Sequence, residues 1–305
     1  MPSAPKSIKA AVIAMNTTAD KQRNIDTATS MVRTAASQGA QWVQLPEMFP
    51  YLGTYDQVYN MAELEGGPLY QTLAGLAAEL NIVLFAGSVG ERPDRESLPK
   101  FRLQNGQGHK RVYNTSYVFG RDGKLLAKYR KLHLFNLNGD DGLPRYCESD
   151  GYIAGDQPIA VEIDGLRVGL SICYDLRFPQ LYYSLGENQP LDVITVPAAF
   201  TLGTGRAHWE LLLRARAVEN LAYVFAANQT GIHGPSKESY GHSLIVDPWG
   251  TVLTDTGEFP GIGYANITPG VLSEVRGRLP ALKNRRLDVY GSEPETPELN
   301  IVAAP

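Results

Sequence analysis

Between Ala10 and Gly87 short apolar runs alternate with amphipathic stretches, and this order constrains the fold more than any other feature of the chain. Ala10 to Met15 reads as a strand. Asn24 to Gln38 places Ile25, Ala28, Val32, Ala35 and Ala36 on one helical stripe, closed by Gly39 at the C′ position. Trp42 to Leu45 is a second strand, and it runs directly into Pro46-Glu47. Gly66-Gly67-Pro68 opens a second helix carrying Leu69, Leu73, Leu76, Ala77 and Leu80, with proline in its first turn. Ile82 to Gly87 is a third strand. This alternation predicts an α/β protein.

Further along, residues 91 to 110 are polar, carry two prolines and lack periodicity, and so read as an exposed excursion. Thr115 to Phe119 and Leu125 to Tyr129 flank Gly120-Arg121-Asp122-Gly123 as a hairpin. Residues 136 to 156 are rich in Gly, Asp and Asn and read as a long surface loop. Val193 to Pro197 and Tyr223 to Ala227 are buried strands, with a helix over Trp209 to Asn220 between them. In that helix Leu212, Leu213 and Ala217 point inward, and Arg214, Arg216 and Glu219 are interleaved. His242 to Val246 and Thr251 to Thr254 form a second hairpin around Asp247-Pro248-Trp249-Gly250. No linker or repeat interrupts residues 1 to 290, which read as one domain. Residues 291 to 305 carry three prolines and read as a tail.

Composition excludes several classes. At 305 residues with 43% hydrophobic content the chain has ample core for a globular protein. A net charge of −4 gives no basic field for nucleic acid or an anionic membrane, and no apolar run is long enough to span one. The cluster Arg276, Arg278, Lys283, Arg285 and Arg286 reads as a solvated or carboxylate-paired surface. Two cysteines, Cys147 and Cys173, make no disulfide framework, so a reducing cytoplasm is expected, with Cys147 a bystander. The N-terminal stretch has neither signal nor transit character. The five histidines show no zinc-binding spacing, so no metal is expected.

Three reactive residue types each stand just past a strand. Glu47 follows Trp42 to Leu45, and Lys131 follows Leu125 to Tyr129. Cys173 follows the run Arg167 to Ile172 and precedes Pro179, where a helix can begin. Strand ends are where open α/β sheets build their sites. A carboxylate beside a thiol can take its proton as sulfur attacks a carbonyl or nitrile carbon. A lysine ammonium can hold the oxyanion that forms, and the Tyr174 N–H can be a second donor. Taken singly, Glu47 and Lys131 read as surface charges and Cys173 as a buried hydrophobe, but Asp175 and Arg177 close behind it argue against an apolar core. A phosphatase-like Cys-x5-Arg is excluded because position 179 is proline. A Cys-His pair using His133 or His242 stays open on these residues alone.

Pro46-Glu47, Tyr129-Arg130-Lys131-Leu132-His133-Leu134-Phe135 and Ser171-Ile172-Cys173-Tyr174-Asp175-Leu176-Arg177-Phe178-Pro179 resemble the three signature motifs of the nitrilase (carbon–nitrogen hydrolase) superfamily. Ala198-Ala199-Phe200-Thr201, the run Ala207 to Ala217, Gly241-His242-Ser243, Val246 to Gly250 and Arg285 to Tyr290 resemble its Nit branch, which contains deaminated-glutathione amidases and ω-amidases. The resemblance runs from about Lys9 to Tyr290. It implies a four-layer α-β-β-α sandwich that forms homodimers or larger homo-oligomers, with no metal or organic cofactor. It implies Cys173 as nucleophile, Glu47 as general base, Lys131 as oxyanion stabiliser and Glu148 as a supporting second glutamate.

The expected partner is a small-molecule amide, hydrolysed through a thioester. Arg177 can hold a substrate carboxylate or pair with Asp175, and Phe200 and Thr201 are expected to line the pocket. Tyr240-Gly241-His242-Ser243 and Gln229-Thr230-Gly231-Ile232-His233 resemble the deaminated-glutathione amidases more than the ω-amidases. The alternatives are an ω-amidase, an aliphatic nitrilase and a non-catalytic interaction protein.

Overall fold

The structure is a computed structural model and describes residues 7–94, 110–138, 146–234, 237–290 and 300–303. Its centre is two β-sheets packed face to face. In the first sheet, Ile8–Ala14, Trp42–Gln44 and Val83–Phe85 lie side by side and parallel. Gly261–Ile267 closes one edge antiparallel to Ile8–Ala14. Val112–Phe119 pairs antiparallel with Val83–Phe85, Val89–Glu91 and Leu125–Arg130, and parallel with Tyr152–Ile153. The second sheet has Leu166–Leu170, Val193–Thr195 and Tyr223–Ala226 parallel at its middle. Leu244–Val246 and Val252–Asp255 extend one side, and Ile159–Ile163 the other.

The period-2 alternation of strand side chains explains the layering. Ile8, Ala10, Val12, Trp42, Val83 and Phe85 face the second sheet and share a core with Val168, Ile194 and Phe225. Their neighbours Ala11, Ile13, Val43, Leu84 and Ala86 face the other way, onto Ala28, Val32, Leu73 and Ala77 of the helices Lys21–Ser37 and Pro68–Leu80. Phe85 and Phe225 meet edge to face across the two sheets, their ring centres 5.6 Å apart. On the far side, the helices Pro179–Leu185 and Leu202–Asn220 bury Tyr182, Trp209, Leu213 and Ala217 against the second sheet. The order is helix, sheet, sheet, helix, as the motif resemblance implies.

Local signals explain the helix ends. Asp20 caps Lys21–Ser37 by accepting the Arg23 N–H at 3.1 Å, and Gly39 leaves it at φ +85°. Pro68 occupies the first turn of Pro68–Leu80. Leu202–Asn220 starts seven residues before the expected Trp209. Gly203 and Gly205 mask that first turn by propensity, yet a Cβ at Gly205 would lie 2.3 Å from Tyr240 Cβ, so close packing requires glycine there.

Four expectations need correction. Glu91, placed at the start of an exposed excursion, is buried: Oε2 accepts from Thr115 at 2.6 Å and Oε1 from Arg130 at 2.5 Å. Residues 95–109 of that excursion lie outside the described residues. The stretch 136 to 156 is not wholly a surface loop, because Asn136–Leu137 pairs with Tyr146–Cys147 and Glu148 is buried beyond them. Residues 139–145 lie outside the description. Arg216, read as one of the charged residues interleaved with the inward positions, is itself buried and donates to the Leu176 carbonyl at 3.1 and 2.9 Å. Within the stretch read as a tail, Asn300–Ala303 pairs parallel to Ile159–Ile163 at the sheet edge.

Candidate active site

Glu47 stands two residues past Leu45, where the chain leaves the Trp42–Gln44 strand. The next residue, Met48, has φ +53° and donates its N–H to Ser88 Oγ at 3.0 Å. Gly87 makes that turn possible, since a Cβ there would sit 2.1 Å from the Pro46 carbonyl oxygen. Lys131 follows Leu125–Arg130 with its N–H on the Asn114 carbonyl at 2.9 Å. Cys173 lies where Leu166–Leu170 passes into the 3-10 turn Cys173–Arg177, with its N–H on the Pro197 carbonyl at 2.9 Å. Its φ is +47°, a left-handed conformation that costs a non-glycine residue of order 1–3 kcal/mol and persists only where its surroundings impose it.

Asp175 imposes it. One carboxylate oxygen accepts the Ile172 N–H at 2.8 Å and the Tyr129 hydroxyl at 2.7 Å. The other accepts the His133 N–H at 3.0 Å and faces His133 Nδ1 at 2.7 Å. The fully buried carboxylate thus fastens the cysteine turn to the chain on either side of Lys131. The charges behind the cysteine in the sequence part company here. Asp175 is a scaffold, and Arg177 turns away from it toward His208 and the faces of Tyr174 and Phe200.

The three strand ends converge in one buried cluster. Lys131 Nζ lies 2.9 Å from Glu47 Oε1 and 3.0 and 2.8 Å from the two oxygens of Glu148. Asn114 Nδ2 bridges the carboxylates, at 2.9 Å to Glu47 and 3.1 Å to Glu148. The Ala199 N–H holds Glu47 Oε2 at 2.8 Å, and the Phe135 N–H holds Glu148 Oε2 at 2.6 Å. Glu47 and the Ala199 backbone stand close enough to the Cys173 sulfur to act on its charge. Glu47, Lys131 and Glu148 are each 1–2% exposed, so they act on one another with little water between them.

That burial sets the protonation states. Desolvation pushes the Cys173 thiol well above its ordinary range and the nearby Glu47 pushes it further, outweighing Lys131. At neutral pH the sulfur is a thiol that must hand its proton to a neighbour in order to attack. Burial works against the Lys131 ammonium, but Glu148 and then Glu47 hold its pKa well above the ordinary value. Burial and the second carboxylate raise the pKa of Glu148. The cluster therefore combines a fixed cation, a protonated sulfur and a carboxylate in contact with both.

A cavity of about 60 Å³ opens on this cluster, lined by Glu47, Lys131, Glu148, Cys173, Ala199 and Thr201, and by Tyr55, Tyr146, His233 and Lys237 opposite. Thr201 is on the wall. Phe200 is not: it packs on Trp209, ring centres 5.0 Å apart, in the core. Nor are the side chains of Tyr174 and Arg177, drawn together by their cation–π contact. His133 and His242 face Asp175 and Asp255, away from the cavity, so neither serves the thiol as a base. Asn114, His233 and Lys237 are not singled out by the sequence as site residues, and Ala199 stands in a stretch expected to line the pocket without its N–H contact to Glu47 being foreseen. The only signal for Asn114 was an amide in a run that otherwise reads as a buried strand.

The carbon–nitrogen hydrolase family model matches residues 9–277. The chain is 38% identical over 282 residues to a deaminated glutathione amidase of Synechocystis sp., covering 92% of this chain and 98% of that protein. It is 38% identical over 293 residues to omega-amidase NIT2 of Homo sapiens, covering 95% and 99%. Among solved structures, the C. elegans NitFhit protein superposes with a TM-score of 0.80 at 35% identity, covering 94% of this chain and 67% of that one. Saccharomyces cerevisiae Nit3, a member of branch 10 of the nitrilase superfamily, gives 0.79 at 31%, covering 93% and 100%. With its fold, its motifs and nearly its whole length matched, this chain belongs to the carbon–nitrogen hydrolase family, whose members cut carbon–nitrogen bonds other than peptide bonds.

Proposed function

We propose that the chain is a cysteine-dependent amidase that hydrolyses a small linear amide through a thioester, with Cys173 as nucleophile, Glu47 as general base and Lys131 as oxyanion donor. One observation carries this reading: Glu47 is hydrogen-bonded to the ammonium and stands beside the thiol on the wall of one pocket, inside a dry cluster. As Cys173 Sγ bonds the carbonyl carbon, Glu47 takes the thiol proton, and Lys131 with the Tyr174 N–H stabilises the oxyanion. Glu47 passes that proton to the departing amine as the carbon–nitrogen bond breaks, leaving the thioester. It then takes a proton from water, which attacks the thioester, and the sulfur leaves as a thiol. Glu148 holds Lys131 in place and Thr201 shapes the pocket wall.

Deaminated glutathione is the proposed substrate, cut to 2-oxoglutarate and cysteinylglycine as a metabolite-repair step. The motif resemblance around Tyr240 to Ser243 and relatives bearing that activity in their names support it. ω-Amidase action on 2-oxoglutaramate is the second reading, favoured by 38–39% identity to proteins of that name. Offering both amides to the wild type and to Cys173→Ala decides between them. 2-Oxoglutarate released from deaminated glutathione without ammonia, and lost in the variant, supports the first. Preferential ammonia release from 2-oxoglutaramate supports the second. Activity retained in Cys173→Ala would sink the nucleophile assignment.

A homodimer or larger homo-oligomer in the cytoplasm completes the proposal. Exposed Leu211 and Val218 on Leu202–Asn220, with Trp249 and Leu253, give an apolar outer face that a second copy can cover. A monomeric mass in sedimentation equilibrium would remove it. Unpaired Cys147 and Cys173 fit a reducing compartment.

A further inference from the structure

The wall of the pocket opposite Cys173 is a two-stranded hairpin, Thr230–Gly234 with Lys237–Tyr240. It is held across the pocket mouth by a bridge between Thr201 and Ser239, and by the Tyr240 N–H on the Phe200 carbonyl at 2.9 Å. Lys237 reaches back from this hairpin to the Gly53 carbonyl at 2.5 Å, with its ammonium 4.6 Å from the centre of the Tyr55 ring. Lys131 has two carboxylates, and Lys21 and Lys128 are paired with Glu63 and Glu65. Among the described residues Lys237 has no carboxylate partner, only a carbonyl and a ring face. Lys9 also has only a carbonyl and a ring face, but at an exposed site, whereas Lys237 stands on the pocket wall.

We propose that Lys237 is the anion-recognition residue of the pocket, whose ammonium receives a carboxylate of the amide substrate. This rests on the amidase reading of the pocket. A cation taken out of water without a counter-ion is costly, so its retention on a cavity wall marks a place for an anion. The reacting centre makes such a cation necessary. Glu47 and Glu148 outnumber Lys131 there and, with Glu238 on the same wall, repel an incoming carboxylate, and Lys237 is the remaining cationic side chain among the described residues of the wall. His233 cannot supply the charge: burial lowers its pKa to about 4, so its ring is neutral at physiological pH. The cavity is small enough for an acyl chain or leaving group attached near Cys173 Sγ to reach across it. Burial also lowers the Lys237 pKa, with Glu148 opposing, as befits an ammonium awaiting a partner.

The carboxylate can belong to the acyl half or to the leaving half of the amide, and binding of the two product halves separates these sources. Cys173→Ala protein is titrated calorimetrically with 2-oxoglutarate and with cysteinylglycine, alone and combined with Lys237→Gln or Lys237→Arg. Glutamine keeps a donor for the Gly53 carbonyl and removes the charge, whereas arginine keeps the charge. Lys237→Gln is expected to weaken one ligand roughly ten- to hundredfold, as for a lost hydrogen bond to a charged group, with most of the affinity restored by arginine. Loss for 2-oxoglutarate places the contact on the acyl half, and loss for cysteinylglycine places it on the leaving half. Unchanged affinity for both, equal loss with arginine, or no binding of either half to the parent protein overturns the proposal. Turnover of deaminated glutathione by protein with Cys173 intact is read separately. If turnover is absent while charge-dependent binding remains, the substrate assignment falls and the anion site stands.

Discussion

Lys131 donates to both carboxylate oxygens of Glu148, at 3.0 and 2.8 Å, with both side chains shut away from solvent. Glu148→Ala removes four hydrogen bonds at once: these two, one from Asn114 and one from the Phe135 N–H. The buried ammonium then keeps only Glu47. We expect a loss of roughly 3 kcal/mol in urea unfolding, near the lower end for a buried ion pair deprived of one partner. Turnover should fall by about 100-fold, as expected when a reacting group is free to move by an ångström. A variant as stable and active as the wild type would make Glu148 a bystander.

Asp175→Asn tests the fastening of the cysteine turn. An amide keeps one acceptor oxygen and replaces the other with a donor. It must therefore face a backbone N–H donor, either at Ile172 or at His133. The expected cost is about 1–3 kcal/mol in thermal unfolding. Because Cys173 and Lys131 are both held through this carboxylate, kcat should fall at least roughly tenfold with KM little changed. A drop in KM-limited binding with kcat intact would instead place Asp175 in contact with substrate.

What the sequence made legible followed from local periodicity and from motifs at strand ends. The helices from Lys21 and from Pro68 begin and end on Asp20, Gly39 and Pro68, and each signal acts within a turn of its residue. Glu47, Lys131 and Cys173 could be named because each follows a strand. Their common contact could not be derived from spacing: it depends on Asn114 and Ala199, 67 and 152 positions from Glu47, whose bonds exist only once the sheets have packed. Arg177 illustrates the limit in the other direction. Its charge beside Asp175 suggested an ion pair or a carboxylate clamp, but aromatic faces and His208 compete for the guanidinium and win. The Lys237 hairpin was missed because its strands are short, the first carries two glycines, and no alternation of apolar residues marks either.

The raised pKa of the Cys173 thiol gives a spectroscopic prediction. Thiolate absorbance near 240 nm, taken as the difference between the wild type and Cys173→Ala, should show no titration step between pH 5 and the ordinary thiol range of about 8.5. A step near pH 6 would mean a preformed thiolate paired with Lys131, and Glu47 would then have no proton to accept. Glu47→Gln removes the second-largest cause of the upward shift, so the thiol should titrate lower in that variant even as amide turnover is lost.

His233 should leave its mark on stability. Its Nδ1 faces the Thr17 carbonyl at 2.8 Å, and since a carbonyl only accepts, that nitrogen carries the proton and the ring is neutral. Burial lowers its pKa from the ordinary 6.5 to about 4. Between those values the unfolded chain binds a proton that the folded protein refuses, so stability rises with pH across this window. On acidification the contribution begins to be lost near pH 6.5, reaches about 3 kcal/mol near pH 4, and changes no further below it. His233→Gln can keep the donor to Thr17 without a titrating ring. The difference in unfolding free energy between wild type and variant should therefore slope by about one proton between pH 6.5 and 4, in favour of the variant at the acid end. A flat difference would show that His233 is solvated in the folded protein and that its ring is not sealed into the wall of the pocket.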